Sequence, residues 1–356
     1  MANTLLYGFH TLEGMADQRV TEIGVDVVSR AIDAAVAEHN RQMQAILGLF
    51  AQRTTEFKIR YKTATAARLQ GLTDDGRALP IQPAGFYDVA FPLQQAGTAW
   101  GATYRASQKM TVQEANDITN TLLNADLRWM RDHVLAALFA SASWNFADEL
   151  HGTLTIKGPA NGDTDQYLIL AGADTGTTDD HILAQADAVA DATDPTDTMI
   201  EELVEHPEND GDVVILVPTA NKSAYQGLAK FHPVADPNVR RGANTDVLVG
   251  DLGVEVPGEI FGYHDDGAWL AEWRSLPSNY LIGLTTGGEA PLALREEEES
   301  TLQGFNRVAE RNDHPFYESQ YLRIAGFGAW NRVGVVIQQV GNGTYAVPTN
   351  YSSPMA

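Results

Sequence analysis

The chain contains no cysteine in 356 residues, which excludes disulfides and thiolate zinc sites and leaves packing and association to supply stability. Positive charge is scarce as well: 24 Lys+Arg stand against 47 Asp+Glu, a formal charge of -23. A surface this acidic repels phosphate backbones at long range, so general nucleic-acid binding is not expected unless the few bases share one face. No apolar run reaches the roughly 18 residues that a membrane span needs, and the opening MANTLLYGFHTLEGMADQ lacks the basic start and apolar core of a secretory signal. The expected setting is a cytoplasm, or something assembled in one. The motifs G-x-x-x-x-G-K-[ST], H-E-x-x-H, G-x-S-x-G and the EF-hand loop are also missing.

With 44% hydrophobic and 20% charged residues, the chain is long enough and apolar enough for two packed units. From about Asp17 to Phe50, the residues Val28, Ile32, Val36, Met43, Leu47 and Phe50 recur mostly at steps of three and four, which predicts an amphipathic helix whose apolar face needs a cover. Phe57 to Lys62 alternates apolar and basic side chains. As a strand it places Phe57, Ile59 and Tyr61 on one face and Lys58, Arg60 and Lys62 on the other. A second alternation from Phe86 to Phe91 follows a tip with Asp75-Gly76, Pro80 and Pro83, so a two-stranded arm is expected. Such a ribbon is marginal alone and must lie on something else.

Thr111-Val-Gln-Glu114 is a capping box opening the longest helical pattern, some 28 residues through Trp129 and His133. From Trp144 to about Asp212, Asp, Thr and Gly clusters separate short elements and mark a second domain. Val213 to Val217 reads as a buried strand, followed by a short helix from Thr219 and strands at 247–249, 259–263, 269–273 and 280–284. The final stretch from Gly341 reads as a loose tail.

The candidates for chemistry each have a plainer reading. Gly326-Phe-Gly328 begins like a dinucleotide fingerprint, but Asn331 replaces the third glycine and valines follow, so the glycines are expected to permit close backbone approach beside Phe327 and Trp330. His264-Asp265-Asp266 precedes Gly267 between two strand patterns, as a turn would. Asp174, Asp179 and Asp180, or Asp163 and Asp165, offer oxygen ligands without the spacing of a known calcium loop. His314 sits among aromatics, and His133 lies on an apolar helix face. Glu296 to Glu299 is a charge run, ordinarily a solvated face. It acquires meaning if it meets the arm's cations between copies, where complementary charge sets register.

The order of parts is an amphipathic leader, a two-stranded arm, a long strut helix, an α/β domain and returning strands. This order resembles the tailed-bacteriophage major capsid protein with the HK97-like fold. The stretches "NYLIGLTTGGEAPLALREEEES" (Asn279 to Ser300) and "HPFYESQYLRIAGFGAWNRVGVVI" (His314 to Ile337) are similar to the closing segment of many such proteins. The resemblance implies an α+β chain divided into an N-terminal arm (1–53), an extended E-loop (54–107), a P-domain spine helix (108–143), an A-domain (144–291), P-domain return strands (292–340) and a C-terminal tail (341–356). It implies a non-catalytic subunit of an icosahedral shell around DNA, with no cofactor and no metal. Its partners would be copies of itself in hexamers and pentamers, scaffolding and portal proteins, and decoration proteins. Because some relatives begin with a cleaved scaffolding segment that has no counterpart here, a separate scaffold or prior processing is implied. The contact residues expected between copies are Lys58, Arg60, Lys62 and Arg77 on the arm and Glu296, Glu297, Glu298 and Glu299 elsewhere. The ribbon and the leading helix are expected to be buried only by lying across sister molecules. Two other readings are an encapsulin-type compartment of the same fold and an unrelated enzyme with a metal held by the Asp-rich loops or His264.

Overall fold

The computed structural model describes residues 14–63, 76, 85–169, 178–233, 256–311 and 316–355. The N-terminal residues 1–13, the arm tip with Arg77, Asp174, the 247–249 strand and His314 lie outside the described residues. No helix among the described residues is long and apolar enough to cross a membrane.

The chain begins with helices α1 (Val20–Ile23) and α2 (Val25–Leu47), then strands β1 (Ala51–Thr54), β2 (Lys58–Thr63), β3 (Gly85–Ala90) and β4 (Gln94–Thr103). A single turn, α3 (Tyr104–Ser107), precedes the long helix α4 (Val112–Leu138), and the hairpin β5 (Trp144–Asp148) and β6 (Gly152–Ile156) follows. Next come β7 (Ile182–Gln185), α5 (Thr196–Val204), β8 (Val213–Val217), α6 (Thr219–Gln226), β9 (Phe231–Pro233), β10 (Glu259–His264), β11 (Ala268–Glu272) and β12 (Tyr280–Thr285). The chain closes with β13 (Leu292–Glu296), β14 (Phe305–Arg311), β15 (Phe316–Ala329) and β16 (Val335–Val340).

Two larger sheets organise the described residues. One has seven strands in the order β7-β16-β12-β8-β11-β10-β9. In its central strand β8, the pleat sends successive side chains to opposite faces. Val213, Ile215 and Val217 pack with Met199 and Leu203 of α5 and Tyr225 of α6, whereas Val214 and Leu216 pack with Met130, Val134 and Leu138 of α4. Covered on both sides, β8 has to be apolar at every position, and all five of its residues are buried.

The other sheet is built around the fourteen-residue strand β15. On one side β15 pairs with β4 along Phe316 to Ala325; on the other it pairs first with β14 and then with β13, which carries β1 in parallel. Gly326 and Gly328 are required here, as expected. A Cβ on Gly326 would lie 2.3 Å from the Pro92 carbonyl oxygen, and one on Gly328 would lie 2.8 Å from that of Ala90.

The capping box forms as read: Glu114 N–H donates to Thr111 Oγ1 (3.2 Å) and Thr111 N–H to Glu114 Oε2 (3.0 Å). The helix that it opens has 27 residues, about 40 Å at ~1.5 Å per residue. It serves both sheets, with Leu122 and Leu123 facing Phe305 and Tyr321 at one end and its last turns under β8 at the other.

The leading helix corrects the sequence expectation. Its apolar face is covered by its own chain, with Val28, Ile32 and Val36 packing on Val112, Ala115 and Leu122 of α4. A buried polar lock fixes the joint. Asp126 of α4 accepts from His39 Nε2 (2.7 Å) and receives both Arg323 Nε (2.5 Å) and a terminal nitrogen (2.7 Å). Asn40 adds reciprocal bonds to the Phe305 backbone, both 2.9 Å. Burial alone would raise the Asp126 carboxyl, but hydrogen bonds from His39 and Arg323 hold it below its ordinary range.

The tail is not loose either. Tyr345 donates to the Phe139 carbonyl (3.0 Å), Ser353 to that of Ala136 (2.9 Å), and Gln94 Nε2 to that of Met355 (2.9 Å). Its aromatic residues are the reason, since Tyr345 and Tyr351 pack beside Tyr280 and Phe139.

Candidate functional site

Among the described residues, those singled out for contact fall on two surfaces that the structure does not bring together. The β2–β3 ribbon pairs Lys58 with Ala90, Arg60 with Asp88 and Lys62 with Phe86. Its faces divide as the alternation predicts. Ile59, Tyr61, Tyr87 and Val89 turn inward to Phe91, Ala293 and Trp330, with Tyr61 stacked on Tyr87 at 5.4 Å and Phe91 on Trp330 at 5.7 Å. Over its described part the ribbon therefore lies on its own chain rather than on a sister, because this aromatic ledge matches its inner face.

The outer face carries the charge. Asp88 accepts from Arg60 (2.7 and 3.0 Å) and pairs with Lys58 (2.6 Å), and hydrogen bonds from Arg60 and then Lys58 hold its carboxyl well below the usual range. Arg60 also stands over the Phe86 ring at 4.2 Å, and Phe86 is 62% exposed. The basic stripe is thus partly neutralised by an acid from the facing strand. Asp88 went unread because strand register, which alone brings it opposite Arg60, is not visible in one strand's sequence.

The glutamate run splits. Glu296 is the last residue of β13 and is buried, with Arg53 of the neighbouring β1 donating to its carboxylate. It is not part of a solvated face, because the parallel β1–β13 register sets Arg53 and Glu296 within reach. Glu297 is half-buried, while Glu298 and Glu299 are exposed, and Glu299 Oε1 accepts from Thr301 Oγ1 (2.8 Å).

A broader surface was not anticipated. Helices α2 and α4 cover only one face of the β15 sheet. Along β4 the inward residues Thr98 and Trp100 alternate with exposed Gln95, Gly97, Ala99 and Gly101. Val308 of β14 is 49% exposed, and Leu322 and Gln320 of β15 lie on the open side. Among the described residues β4 pairs only with β15, so its far edge offers unpaired backbone groups. The alternating exposure from Gln94 to Thr103 follows its small residues at alternate positions, a signal that was present in the sequence.

The candidates for chemistry take structural places. Asp163 and Asp165 both bind Arg332, which is fully buried, and Asp165 also meets Lys157. His133 Nδ1 donates to the Trp129 carbonyl (2.8 Å) on the packed helix face, and burial lowers its pKa. His264 ends β10 at the expected turn, where Gly267 has φ +109°. Its Nε2 lies 2.8 Å from Asp194 Oδ2 but out of line for a hydrogen bond. Asp179 meets two buried histidines, His181 and His206, which the sequence reading did not select. Asp126 too went unread as a lock residue, although a lone Asp within the stripe Leu122, Leu123, Met130 was a visible sign of a buried partner.

No protein-family model matches the sequence, and no curated relative does. Solved structures do. A structure from Mycobacterium phage Patience aligns with a TM-score of 0.68 at 18% identity, covering 99% of this chain and 98% of that one. The asymmetric unit of the bacteriophage PhiM1 mature capsid aligns with a TM-score of 0.50 at 11% identity, covering 82% and 85%. The mixed α+β fold of this chain is thus shared over nearly its whole length with the Patience structure and over 82% of it with the PhiM1 mature capsid structure.

Proposed function

We propose that this chain is the major capsid protein of a tailed double-stranded DNA bacteriophage, a non-catalytic subunit that assembles with copies of itself into an icosahedral shell. The observation that carries this reading is the end-to-end alignment with the Patience structure, which leaves almost no part of either chain unmatched. In this reading the chain divides in the HK97-like manner: N-terminal arm 1–53, E-loop 54–107, spine 108–143, A-domain 144–291, return strands 292–340 and tail 341–356. Hexamers and pentamers are the assembly units, a scaffold and a portal assist, and decoration proteins bind outside. Assembly takes place in the host cytoplasm, and the subunit ends in the virion. A charge of -23 suits a wall that must let packaged DNA enter and leave, since a tightly binding wall would retain it.

The contacts follow from the two surfaces. Lys58, Arg60, Lys62 and Arg77 of one copy's ribbon meet Glu297, Glu298 and Glu299 of the next, while Glu296 serves its own β13. Phe86 supplies the apolar anchor beside Arg60. Support comes from the exposure of Phe86, Glu298 and Glu299.

The deciding experiment is expression of the chain with and without its scaffold, followed by sedimentation and negative-stain microscopy. Hollow particles of uniform diameter are expected. Compact monomers at every concentration in both preparations overturn the reading, and uniform shells carrying an enzyme and no DNA would move it to a compartment shell.

A further inference from the structure

Three side chains from two segments converge beside edge strand β7, and their hydrogen bonds fix which atoms carry protons. His181 and His206 are both fully buried. Nδ1 of His181 lies 3.0 Å from the Val335 carbonyl oxygen, and Nδ1 of His206 lies 2.9 Å from that of Leu168. A carbonyl only accepts, so each Nδ1 bears the hydrogen, and in a neutral ring Nε2 is then a bare lone pair. Both Nε2 atoms face Asp179 Oδ2, at 2.9 and 2.6 Å, and they stand 3.1 Å from each other. The carboxylate is held for this. Gly162 N–H donates to the Asp179 carbonyl and Asp180 N–H to Oδ1, both at 2.8 Å, which leaves Oδ2 to the histidines. Glu205 Oε1 lies 3.8 Å from His206 Nε2, and the carboxylates of Asp179, Glu202 and Glu205 lie within 4.8 Å of one another.

Three lone-pair donors cannot face one another at these distances without positive charge between them. Protonating one ring supplies a single N–H to Asp179 Oδ2 and leaves the other Nε2 lone pair against that oxygen, and protonating both would set two cationic N–H groups 3.1 Å apart away from water, which is costly. A metal ion resolves the conflict. Bonds of about 2.0–2.2 Å at tetrahedral angles set donor atoms roughly 3.3–3.6 Å apart, so an ion would open the 2.6, 2.9 and 3.1 Å edges by a few tenths of an ångström to about one. An Nδ1–H donated to a carbonyl is also the usual way a metal-bound imidazole is oriented. Two imidazoles with carboxylates favour zinc-like ions over calcium or magnesium, which prefer oxygen alone.

We propose that Asp179, His181 and His206, with Glu205 as fourth ligand, bind one zinc-class divalent ion. The site is closed and four-coordinate, hence structural. It staples the start of β7 to the end of α5, with Gly162 and Leu168 held alongside through hydrogen bonds to Asp179 and His206, and it requires no cysteine. It stands independently of the shell reading.

The test uses the full chain, stripped with EDTA and returned to about pH 7.5, where the imidazoles are free to bind. Calorimetric titration with zinc chloride is expected to give one ion per chain, a higher Tm, and, with cobalt(II) instead, the intense visible absorption of a tetrahedral site. Lowering the pH to about 5.5 is expected to weaken zinc binding by about tenfold or more, because protons compete for Nε2. His206→Gln is expected to abolish stoichiometric binding. Glu205→Gln, at a half-buried position, is expected to weaken binding about tenfold with the fold intact, which keeps the test readable if His206→Gln does not fold. A folded wild-type chain that takes up neither zinc nor cobalt stoichiometrically overturns the proposal, as does unchanged affinity in Glu205→Gln.

Discussion

The two large sheets solve the same problem differently. The seven-stranded sheet is sealed by helices on both faces, and β8 answers with VVILV, five buried residues in a row. The β15 sheet is sealed on both faces only at its β13 end, where the ribbon and Phe91 lie over Ala293; toward β4 one face stays open, and β4 answers with QQAGTAWGAT, in which every second residue is exposed. The sealed sheet draws its stability from apolar area on both sides. The half-open one is held by α2 and α4 and by the ionic lock beneath them, and it leaves a face and an edge for other molecules. One chain thereby separates rigidity from an open surface between two sheets.

The sharpest way to probe this division is the lock. Asp126→Ala leaves the buried Arg323 without its carboxylate and with only Asn40 Oδ1 to accept from it, and is expected to cost about 3–5 kcal/mol in urea unfolding. In the wild type the Asp126 carboxyl is held below its unfolded value, so its contribution is present above the ordinary Asp pKa and is lost as pH falls below about 4. Asp126→Asn is expected to flatten that acid limb of the stability curve. The counterpart in the sealed sheet is Leu216→Ala, which opens a cavity between β8 and α4 at a cost of about 2–5 kcal/mol. A smaller effect is expected at the helix both sheets share, where Thr111→Ala removes the cap for about 1 kcal/mol by thermal unfolding. Smallest for the single chain is Val308→Ser on the open face, within about 0.5 kcal/mol, although particle yield is expected to fall. If Val308→Ser instead destabilised the unassembled chain as much as Leu216→Ala does, the contrast between the sheets would fail.

The sequence was most legible where one periodicity decides the outcome. The α2 pattern, the Thr111 capping box, the β8 run and the Phe57 to Lys62 alternation each specify an element and its inward face through local rules alone. The glycines of β15 were legible for a similar reason, since a pair of glycines in a strand invites another backbone. What stayed hidden depends on register between distant segments. Lys58 and Arg60 looked free because Asp88 lies across a turn, Glu296 looked solvated because Arg53 lies one strand away, and the leading helix looked uncovered because Asp126 and Arg323 are far along the chain. His181 and His206 were invisible as a pair because only the fold brings residues 25 positions apart to 3.1 Å. Tyr345 and Tyr351 were read through their Gly- and Ser-rich surroundings, and their rings decided otherwise.

The place of β15 in the chain also sets a timetable for synthesis. Strand β4 ends at Thr103, and its partner begins at Phe316, so at roughly 5–20 residues per second the ribosome leaves β4 waiting on the order of ten to forty seconds. Throughout that interval the nascent polypeptide displays an unmatched edge, the state most prone to clumping.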